Sequence, residues 1–285
     1  MADASVTMPS QETLDIAEII DFGRYPIGDL DGPGRRVVEQ CRAELAEDGA
    51  CQLDGFMRPV AIQAVLDEAT RLSGKAWRTD ATHNAYFTEV TAGIGDEDPR
   101  GVTLQSAKWA LGFKYCGPRS PLRMLYEWDG LVAFFKEVLG LPDLYRDADP
   151  MGACSVMFHD EGDELGWHFD NSEFAVTLML QESLDGGEFE YVPGIRTAGG
   201  ENFAAVRAVL DGARERVRSL HAEPGTLTLF RGRHSLHRVT PVRGARTRVN
   251  AVLAYASTPG HRLSPLNRRL FYGPDEDEPS GDRSA

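Results

Sequence analysis

Two histidines and one carboxylate in this sequence could together hold a metal ion. His168 and Asp170 lie two positions apart in residues 166–170 (GWHFD), so both side chains leave the same face of an extended strand. A second stretch, residues 233–241 (RHSLHRVTP), lies far downstream and can supply another imidazole. Two imidazoles and one carboxylate leave three open positions on an octahedral ion, which suits Fe(II) oxygen chemistry. The sequence therefore predicts a non-haem iron site.

Either histidine of the downstream stretch could provide the second imidazole. His237 begins a His-x-Val-x-Pro-Val segment, residues 237–242, and is one candidate for the ligand. His234 is the alternative, and it could instead contact a substrate or lie in a turn. This part of the chain also contains a turn that leads into an alternating segment at residues 226–230. Two arginines, Arg246 and Arg248, follow further along.

Short strand patterns dominate the chain after residue 150, and turn signals separate them. One helical pattern, residues 202–217, interrupts them. Many short strands of this kind predict a jelly-roll, or double-stranded β-helix. The predicted strands are residues 153–158, 174–180, 187–191, 226–230 and 249–255.

The chain before residue 150 has a helical character that predicts packing material for the strands. Apolar spacing predicts helices at residues 35–48, 59–72 and 121–139, with a strand at 50–53. Residues 74–120 are rich in aromatic side chains, which could cover a pocket or fill the core. The predicted fold class is therefore α+β, a jelly-roll core buttressed by N-terminal helices.

A single domain spanning residues 1–285 is the predicted organisation. Its parts are a flexible leader at 1–10, a mostly helical buttress and lid region at 11–149, a jelly-roll catalytic core at 150–258 and a disordered acidic tail at 274–285.

Composition and charge narrow the class of partner. The formal net charge is −14, which argues against a nucleic-acid partner because phosphate binding needs a basic surface. No apolar run is long enough to predict a membrane span, and the polar, acidic start does not resemble a signal peptide. Four scattered cysteines form no C-x-x-C pair, which is typical of a reducing compartment. We expect a cytoplasmic protein with a small-molecule substrate.

In this order the motifs resemble those of the Fe(II)/2-oxoglutarate-dependent oxygenases. That pattern is His-x-Asp, then a distal histidine in a His-x-Val-x-Pro-Val context, then an Arg or Lys about ten residues on. Residues 186–189 (GGEF) also resemble the turn and strand that commonly follow the proximal motif, and the resemblance covers about residues 150–258. It implies His168, Asp170 and His237 as iron ligands, with Fe(II), 2-oxoglutarate and O2 as cofactor and co-substrates.

The resemblance also implies that an arginine binds the far carboxylate of 2-oxoglutarate, since a guanidinium pairs bidentately with a carboxylate. Arg246 and Arg248 share one strand face by parity, so parity does not choose between them. We prefer Arg248 because it begins the continuous strand pattern of residues 248–255, in which Asn250 would also face the cavity. Arg246 remains the alternative.

Residues 165–174 (LGWHFDNSEF) and 177–182 (TLMLQE) are similar to the branch that holds carrier-free amino-acid halogenases and their hydroxylase relatives. In the halogenases a glycine replaces the carboxylate and opens a position for chloride. Asp170 fills that place here, so the resemblance implies hydroxylation of a small polar substrate, such as a free amino acid or derivative. Candidate substrate contacts are Asn171, Glu173, His159, His234 and Asn250.

Two other functions fit parts of the pattern. The oxygenase could act on another specialised metabolite, such as a nucleoside or a peptide. A non-enzymatic, cupin-like protein binding a metal or a small molecule would use a similar fold and ligands, but would not need the arginine after the distal histidine. Formation of succinate from 2-oxoglutarate separates an oxygenase from such a binding protein.

Overall fold

A large antiparallel sheet carries the residues that the sequence singles out. The computed structural model describes residues 14–89, 95 and 97–274, so the leader at 1–10 and all but the first residue of the tail at 274–285 lie outside the described residues. The strands are β1 (Ala50–Leu53), β2 (Trp77–His83), β3 (Leu104–Leu111), β4 (Tyr145–Arg146), β5 (Cys154–His159), β6 (Leu165–His168), β7 (Ala175–Gln181), β8 (Asp185–Gly186), β9 (Phe189–Val192), β10 (Arg218–Leu220), β11 (Leu227–Phe230), β12 (Leu236–Val239), β13 (Val242–Arg243), β14 (Arg248–Leu253) and β15 (Tyr255–Ala256).

Seven α-helices accompany these strands in the described part of the chain. They are α1 (Ile16–Ile19), α2 (Gly34–Glu47), α3 (Pro59–Leu72), α4 (Pro121–Glu127), α5 (Asp129–Leu139), α6 (Phe203–Leu210) and α7 (Pro265–Tyr272). None of these helices is long and apolar enough to cross a membrane.

The main sheet has the strand order β1-β11-β7-β14-β5-β3-β6-β12-β9-β10, with β2 added on β3. Its neighbours are antiparallel, and consecutive strands of the chain are often far apart in the sheet, as expected for a jelly-roll. The curled sheet with helices packed against it confirms the predicted α+β class and jelly-roll core.

One face of the curled sheet packs on the helices and the other faces a cavity. The largest buried cluster contains apolar residues of α2, α3 and α5 that recur at helical periodicity, among them Val38 and Phe135. From the sheet it contains Leu178 of β7 and Ala251 of β14. Alternate residues of β14 point the opposite way, into the cavity. The N-terminal helices therefore hold the strands from outside while the inner face stays available for chemistry.

The sequence prediction of one helix over residues 121–139 is wrong in one respect, because the helix breaks at Trp128. Trp128 has extended backbone angles (φ −71°, ψ 121°) and separates α4 from α5. Asp129 and Gly130 follow it, and both are weak helix formers. The break directs the indole of Trp128 edge-on to Phe22, with ring centroids 5.4 Å apart.

The helix predicted at residues 202–217 ends early, at Leu210. Gly212 takes a positive φ of 109°, which ends the helix, and the chain then enters β10. The sequence pattern also did not assign β2, β3 or α7. Strands β1, β2 and β3 come from the segment predicted as buttress, yet they join the main sheet. The boundary proposed at residue 150 therefore marks a change in the sequence pattern. The main sheet contains strands from both sides of it.

An ion pair between a partly exposed arginine and a buried carboxylate links β2 to the turn between β5 and β6. Both guanidinium nitrogens of Arg78 donate to the carboxylate of Asp163 at 2.6 Å, and the Asp163 side chain is only 5% exposed. We predict that Arg78→Met lowers the free energy of unfolding by about 2–3 kcal/mol, because it leaves a buried carboxylate unpaired. Urea unfolding measures this.

The exposed pair of Arg243 and Asp185 provides the matched control, because both side chains are more than two-thirds exposed. Arg243→Met should change the free energy of unfolding by less than about 0.5 kcal/mol. Equal effects of the two substitutions would contradict the assigned role of the Arg78 pair.

Candidate metal centre

Three side chains, two on neighbouring strands and one just after a strand, meet at one end of the cavity. His168 ends β6, and His237 lies directly opposite it on the neighbouring strand β12. Asp170 Oδ1 lies 3.7 Å from His168 Nε2 and 3.5 Å from His237 Nε2. The three ligand atoms all lie within 4.8 Å of one another. Two imidazoles and a carboxylate thus converge on a space that an ion of the Fe(II) type would fill.

Backbone carbonyls fix the tautomer of both imidazoles. His168 Nδ1 donates to the carbonyl of Gly166 at 2.8 Å, and His237 Nδ1 donates to that of Ser235 at 2.9 Å. Because Nδ1 carries the proton in each ring, the lone pair lies on Nε2, the atom that faces Asp170. These contacts orient both rings as metal ligands.

The electrostatics of His168 and Asp170 favour the protonation states in which these side chains bind a metal. Burial, together with the neighbouring His237, holds the pKa of His168 well below its ordinary value, so the ring is neutral near pH 7. Burial alone raises the pKa of Asp170, but the two imidazoles and Lys108 outweigh it and the pKa falls below its ordinary value. Neutral imidazoles and an ionised carboxylate are the forms that bind a metal.

Asp170 is half-buried and lacks one partner. Its Oδ2 is shielded from solvent and has no hydrogen-bond partner among the described residues, although its backbone N–H donates to the carbonyl of Gly232 at 3.2 Å. An unpaired buried carboxylate oxygen is costly unless a cation satisfies it. The orphaned oxygen therefore fits a metal ligand.

Gly232 has no side chain, and the carboxylate of Asp170 occupies the space that a Cβ there would fill. A Cβ on Gly232 would lie 1.8 Å from Asp170 Oδ2 and 2.6 Å from its Cγ. We predict that Gly232→Ala keeps the fold but displaces this carboxylate, which should lower iron affinity by about 10- to 100-fold. Iron content after dialysis against graded chelator measures the effect.

Gly199 offers the control for that substitution. A Cβ there meets only Thr197 Oγ1 at 3.9 Å, so Gly199→Ala should leave iron affinity unchanged. Equal iron affinity in Gly232→Ala and the native protein would contradict this account of Asp170.

The ligand atoms open onto a cavity of about 470 Å³, a size ordinary for small-molecule sites. Arg248 and Asn250 of β14 line it, as the strand parity predicted, and Val252 lines it as well. Arg248 is buried, and burial lowers its pKa to about 10. Its Nη1 donates to Asn250 Oδ1 at 2.7 Å, but its Nε has no partner, and no carboxylate pairs with it among the described residues.

His159 lies directly opposite Arg248 in the sheet register and also lines the cavity. It is 2% exposed, and neither ring nitrogen has a hydrogen-bond partner in the described part of the chain. Burial, helped by the charge of Arg248, holds the pKa of His159 well below its ordinary value. The pair presents unsatisfied donors to the cavity, as an anion-binding subsite does.

The other candidate residues lie farther from this centre. Arg246 is exposed and donates to the carbonyl of Ser183 at 2.8 Å, outside the cavity. His234 borders a separate surface cleft. Asn171 is exposed at the cavity mouth, and Glu173 is exposed and does not line the cavity.

Gly186 and Gly187 form a turn that lies against Arg248. Both take a positive φ, 62° and 65°, which strains other residue types. A Cβ on Gly187 would lie 2.9 Å from Arg248 Cδ, and one on Gly186 would lie 2.1 Å from the carbonyl oxygen of Pro241. The GG pair that the sequence highlights therefore shapes the wall beside the guanidinium.

Sequence reasoning missed the contribution of β3 to this site. Ser106 Oγ accepts from the backbone N–H of Gly166 at 3.1 Å and bonds His83 Nε2 at 2.6 Å. Lys108, two residues on, lines the cavity. The available signal was the alternation of a serine and a lysine with apolar residues in LQSAKWAL. Strand parity alone does not show which face of a strand meets a cavity.

An aromatic side chain from the 74–120 segment lies against His168, and one from the unpredicted helix α7 packs on it in turn. The ring of Phe87 lies 5.3 Å from that of His168, and Phe271 of α7 lies 5.7 Å from Phe87. Phe87 takes a positive φ of 50°, and Asn84 Oδ1 holds this turn by accepting from the N–H groups of Tyr86 and Thr88. A bulky residue in this conformation is unusual and typical of functional sites.

The sequence profile of the family described as Halogenase D matches residues 118–265, slightly more than half of the chain. None of the curated proteins matches the chain. The chain belongs to the Halogenase D family, the halogenase-like branch of the Fe(II)/2-oxoglutarate-dependent oxygenases.

Solved structures share the fold. AviO1 from Streptomyces viridochromogenes Tue57 is 18% identical, with a TM-score of 0.53 over 81% of this chain and 97% of that one. HygX from Streptomyces hygroscopicus, bound to nickel, 2-oxoglutarate and hygromycin B, is 14% identical, with a TM-score of 0.53 over 78% and 88%. SnoN, a non-haem α-ketoglutarate-dependent epimerase from nogalamycin biosynthesis, is 15% identical, with a TM-score of 0.52 over 78% and 83%. At these identities the likeness establishes the fold.

Iron and 2-oxoglutarate, the cofactor and co-substrate of this class, both fit the residues present. The orphaned Asp170 Oδ2 and the two Nε2 lone pairs suit the ion. The buried Arg248, which has no carboxylate partner among the described residues, suits a dicarboxylate. The chain is thus a 2-oxoglutarate-dependent non-haem iron enzyme.

Proposed function

We propose that this enzyme hydroxylates an unactivated C–H bond of a small polar substrate, a free amino acid or a derivative of one, and releases succinate and CO2. The observation that carries the proposal is the convergence of His168, Asp170 and His237 on the same cavity as the unpaired Arg248. The segment 150–258 is proposed as the catalytic core, with the helices outside it.

The three metal-binding side chains and the buried pair of Arg248 and His159 each have a proposed task. His168, Asp170 and His237 would hold the iron, and Arg248 would bind the far carboxylate of 2-oxoglutarate with His159 beside it. When bound, iron and 2-oxoglutarate together supply the oxidising chemistry. The chain positions the substrate, excludes water with the apolar walls, and keeps the ligand imidazoles in one tautomer through Gly166 and Ser235.

Asp170 supports hydroxylation over halogenation. Its carboxylate lies within 3.7 Å of both imidazole Nε2 atoms and so occupies the third ligand direction. A halide would need that direction open. We predict that Asp170→Gly folds with little loss of stability, because it removes an unsatisfied buried oxygen, and that it binds chloride next to the metal.

Co(II) substitution tests this prediction, because the visible absorption of Co(II) responds to a change in its ligands. Chloride should alter the spectrum of the Co(II)-loaded Asp170→Gly variant and not that of the native protein. A native spectrum equally sensitive to chloride would show that Asp170 does not fill that position.

A screen of free amino acids tests the proposed function. Amino acids are added singly with Fe(II), 2-oxoglutarate and oxygen, succinate release is followed, and products are examined for the mass of one added oxygen. The proposal expects at least one amino acid to stimulate succinate release and to gain an oxygen. If no amino acid stimulates succinate release, nucleosides and peptides are tested in the same way, and stimulation by one of them would identify a different substrate class. No succinate with any of these compounds would favour a binding protein.

A further inference from the structure

A lysine without an ionic partner lies inside the cavity, apart from the groups assigned to iron and 2-oxoglutarate. Lys108 is 6% exposed and lies on β3, next to the strand that carries His168. Within residues 14–89, 95 and 97–274, no carboxylate comes within ion-pair distance of its Nζ and no acceptor hydrogen-bonds to it. A charged amine that is nine-tenths buried and unpaired is rare in a folded chain.

The surroundings of Lys108 hold the amine in place without neutralising it. Its Nζ lies 4.4 Å from the ring centroid of Phe271, a cation–π contact with α7. Burial lowers the pKa of Lys108 to about 8, and the charge of Asp170 opposes this shift. The amine is still mostly protonated at neutral pH, and a bound anion would relieve its desolvation.

Lys108 and Arg248 are the two lysine or arginine side chains among the described residues that line this cavity. They lie on different strands, β3 and β14, with β5 between them in the sheet. Arg248 suits 2-oxoglutarate, which leaves Lys108 for a second anion. Phe271 also contacts Phe87, and Phe87 contacts His168, so the amine is linked to the metal centre through two aromatic rings.

We infer that Lys108 is the anchor that binds a carboxylate of the substrate. The anchor makes the enzyme select carboxylic acids over the corresponding amides or decarboxylated amines. This inference rests on the proposed function, since it takes the cavity to hold a substrate beside 2-oxoglutarate. A single ammonium suits one carboxylate, and the aromatic rings of Phe87 and Phe271 suit the carbon chain that extends from it toward the iron.

Anaerobic binding tests the anchor independently of turnover. The protein is loaded with Fe(II) and 2-oxoglutarate without oxygen, and binding of free amino acids and of the matching amino-acid amides is measured by equilibrium dialysis. We expect at least one free acid to bind about tenfold or more tightly than its amide in the native protein, as for loss of a charge-assisted hydrogen bond. Lys108→Met should abolish that difference, and Lys108→Arg should restore part of it.

Lys75→Met, at an exposed lysine outside the cavity, is the matched control and should bind as the native protein does. Thermal melting of each variant checks the fold. Equal binding of acids and amides by the native protein would overturn the inference. So would unchanged discrimination in Lys108→Met, or a weakened affinity of that variant for 2-oxoglutarate in place of the amino acid.

The outcome for Lys108 is distinguishable from that for the proposed function. Discrimination that depends on Lys108 in the binding assay supports the anchor even if no succinate forms with oxygen, and the missing succinate then counts against the oxygenase. Succinate release by a protein that treats acids and amides alike supports the oxygenase and overturns the anchor.

Discussion

Changing His168 to Ala is expected to abolish iron-dependent turnover of 2-oxoglutarate. The substitution removes one of three donor atoms that lie within 4.8 Å of one another. Iron affinity should fall by more than about a hundredfold, because even changes to groups that merely orient a ligand lower metal affinity 10- to 100-fold. Iron content and succinate formation are both measured.

His234→Ala is the matched control, since His234 borders a surface cleft and lies outside the cavity. It should bind iron as the native protein does. His237→Ala should behave like His168→Ala. Loss of iron in His234→Ala with retention in His237→Ala would reverse the choice between the two downstream histidines.

Changing Arg248 to Met is expected to weaken the binding of 2-oxoglutarate and to stabilise the unliganded fold. The KM for 2-oxoglutarate should rise about 100-fold, because a charge-assisted pair with the far carboxylate is lost. The free energy of unfolding of the unliganded protein should rise by about 1–2 kcal/mol, because a buried guanidinium without a carboxylate partner in the described chain is replaced by an apolar side chain. Steady-state kinetics and urea unfolding measure these changes.

Two further variants make the Arg248 prediction specific. Arg246→Met should leave the KM for 2-oxoglutarate within about twofold of the native value, since Arg246 is exposed outside the cavity. Arg248→Lys should recover part of the affinity, because it keeps the charge and loses the bidentate fork. A larger effect of Arg246→Met than of Arg248→Met would contradict the assignment.

The metal centre could be predicted from the sequence because strand parity relates two of its ligands and a family resemblance identifies the third. Strand parity relates His168 to Asp170, and the same rule correctly placed Arg248 and Asn250 toward the cavity. Parity did not choose between Arg246 and Arg248. The structure separates them because β14 begins at Arg248, whereas Arg246 precedes the strand in an exposed bend.

The missed parts depend on tertiary packing. The weak helix formers Asp129 and Gly130 are a local signal for the break at Trp128, but the packing of its indole against Phe22 is a tertiary contact. Lys108 reads as an ordinary strand lysine until β3 is seen between β5 and β6. Helix α7 had a readable start in Ser264, whose Oγ accepts from the N–H of Asn267, followed by Pro265 at its first position.

The central claim is that this chain uses iron and 2-oxoglutarate through His168, Asp170 and His237. The most direct measurement supplies the Fe(II)-loaded native protein with amino acids and with 2-oxoglutarate labelled at its first carbon. The label is followed as CO2, and the unlabelled succinate is measured separately. The account predicts equal amounts of CO2 and succinate, dependent on oxygen and iron and absent from His168→Ala. Equal release by the native protein and His168→Ala, or none from either, would contradict it.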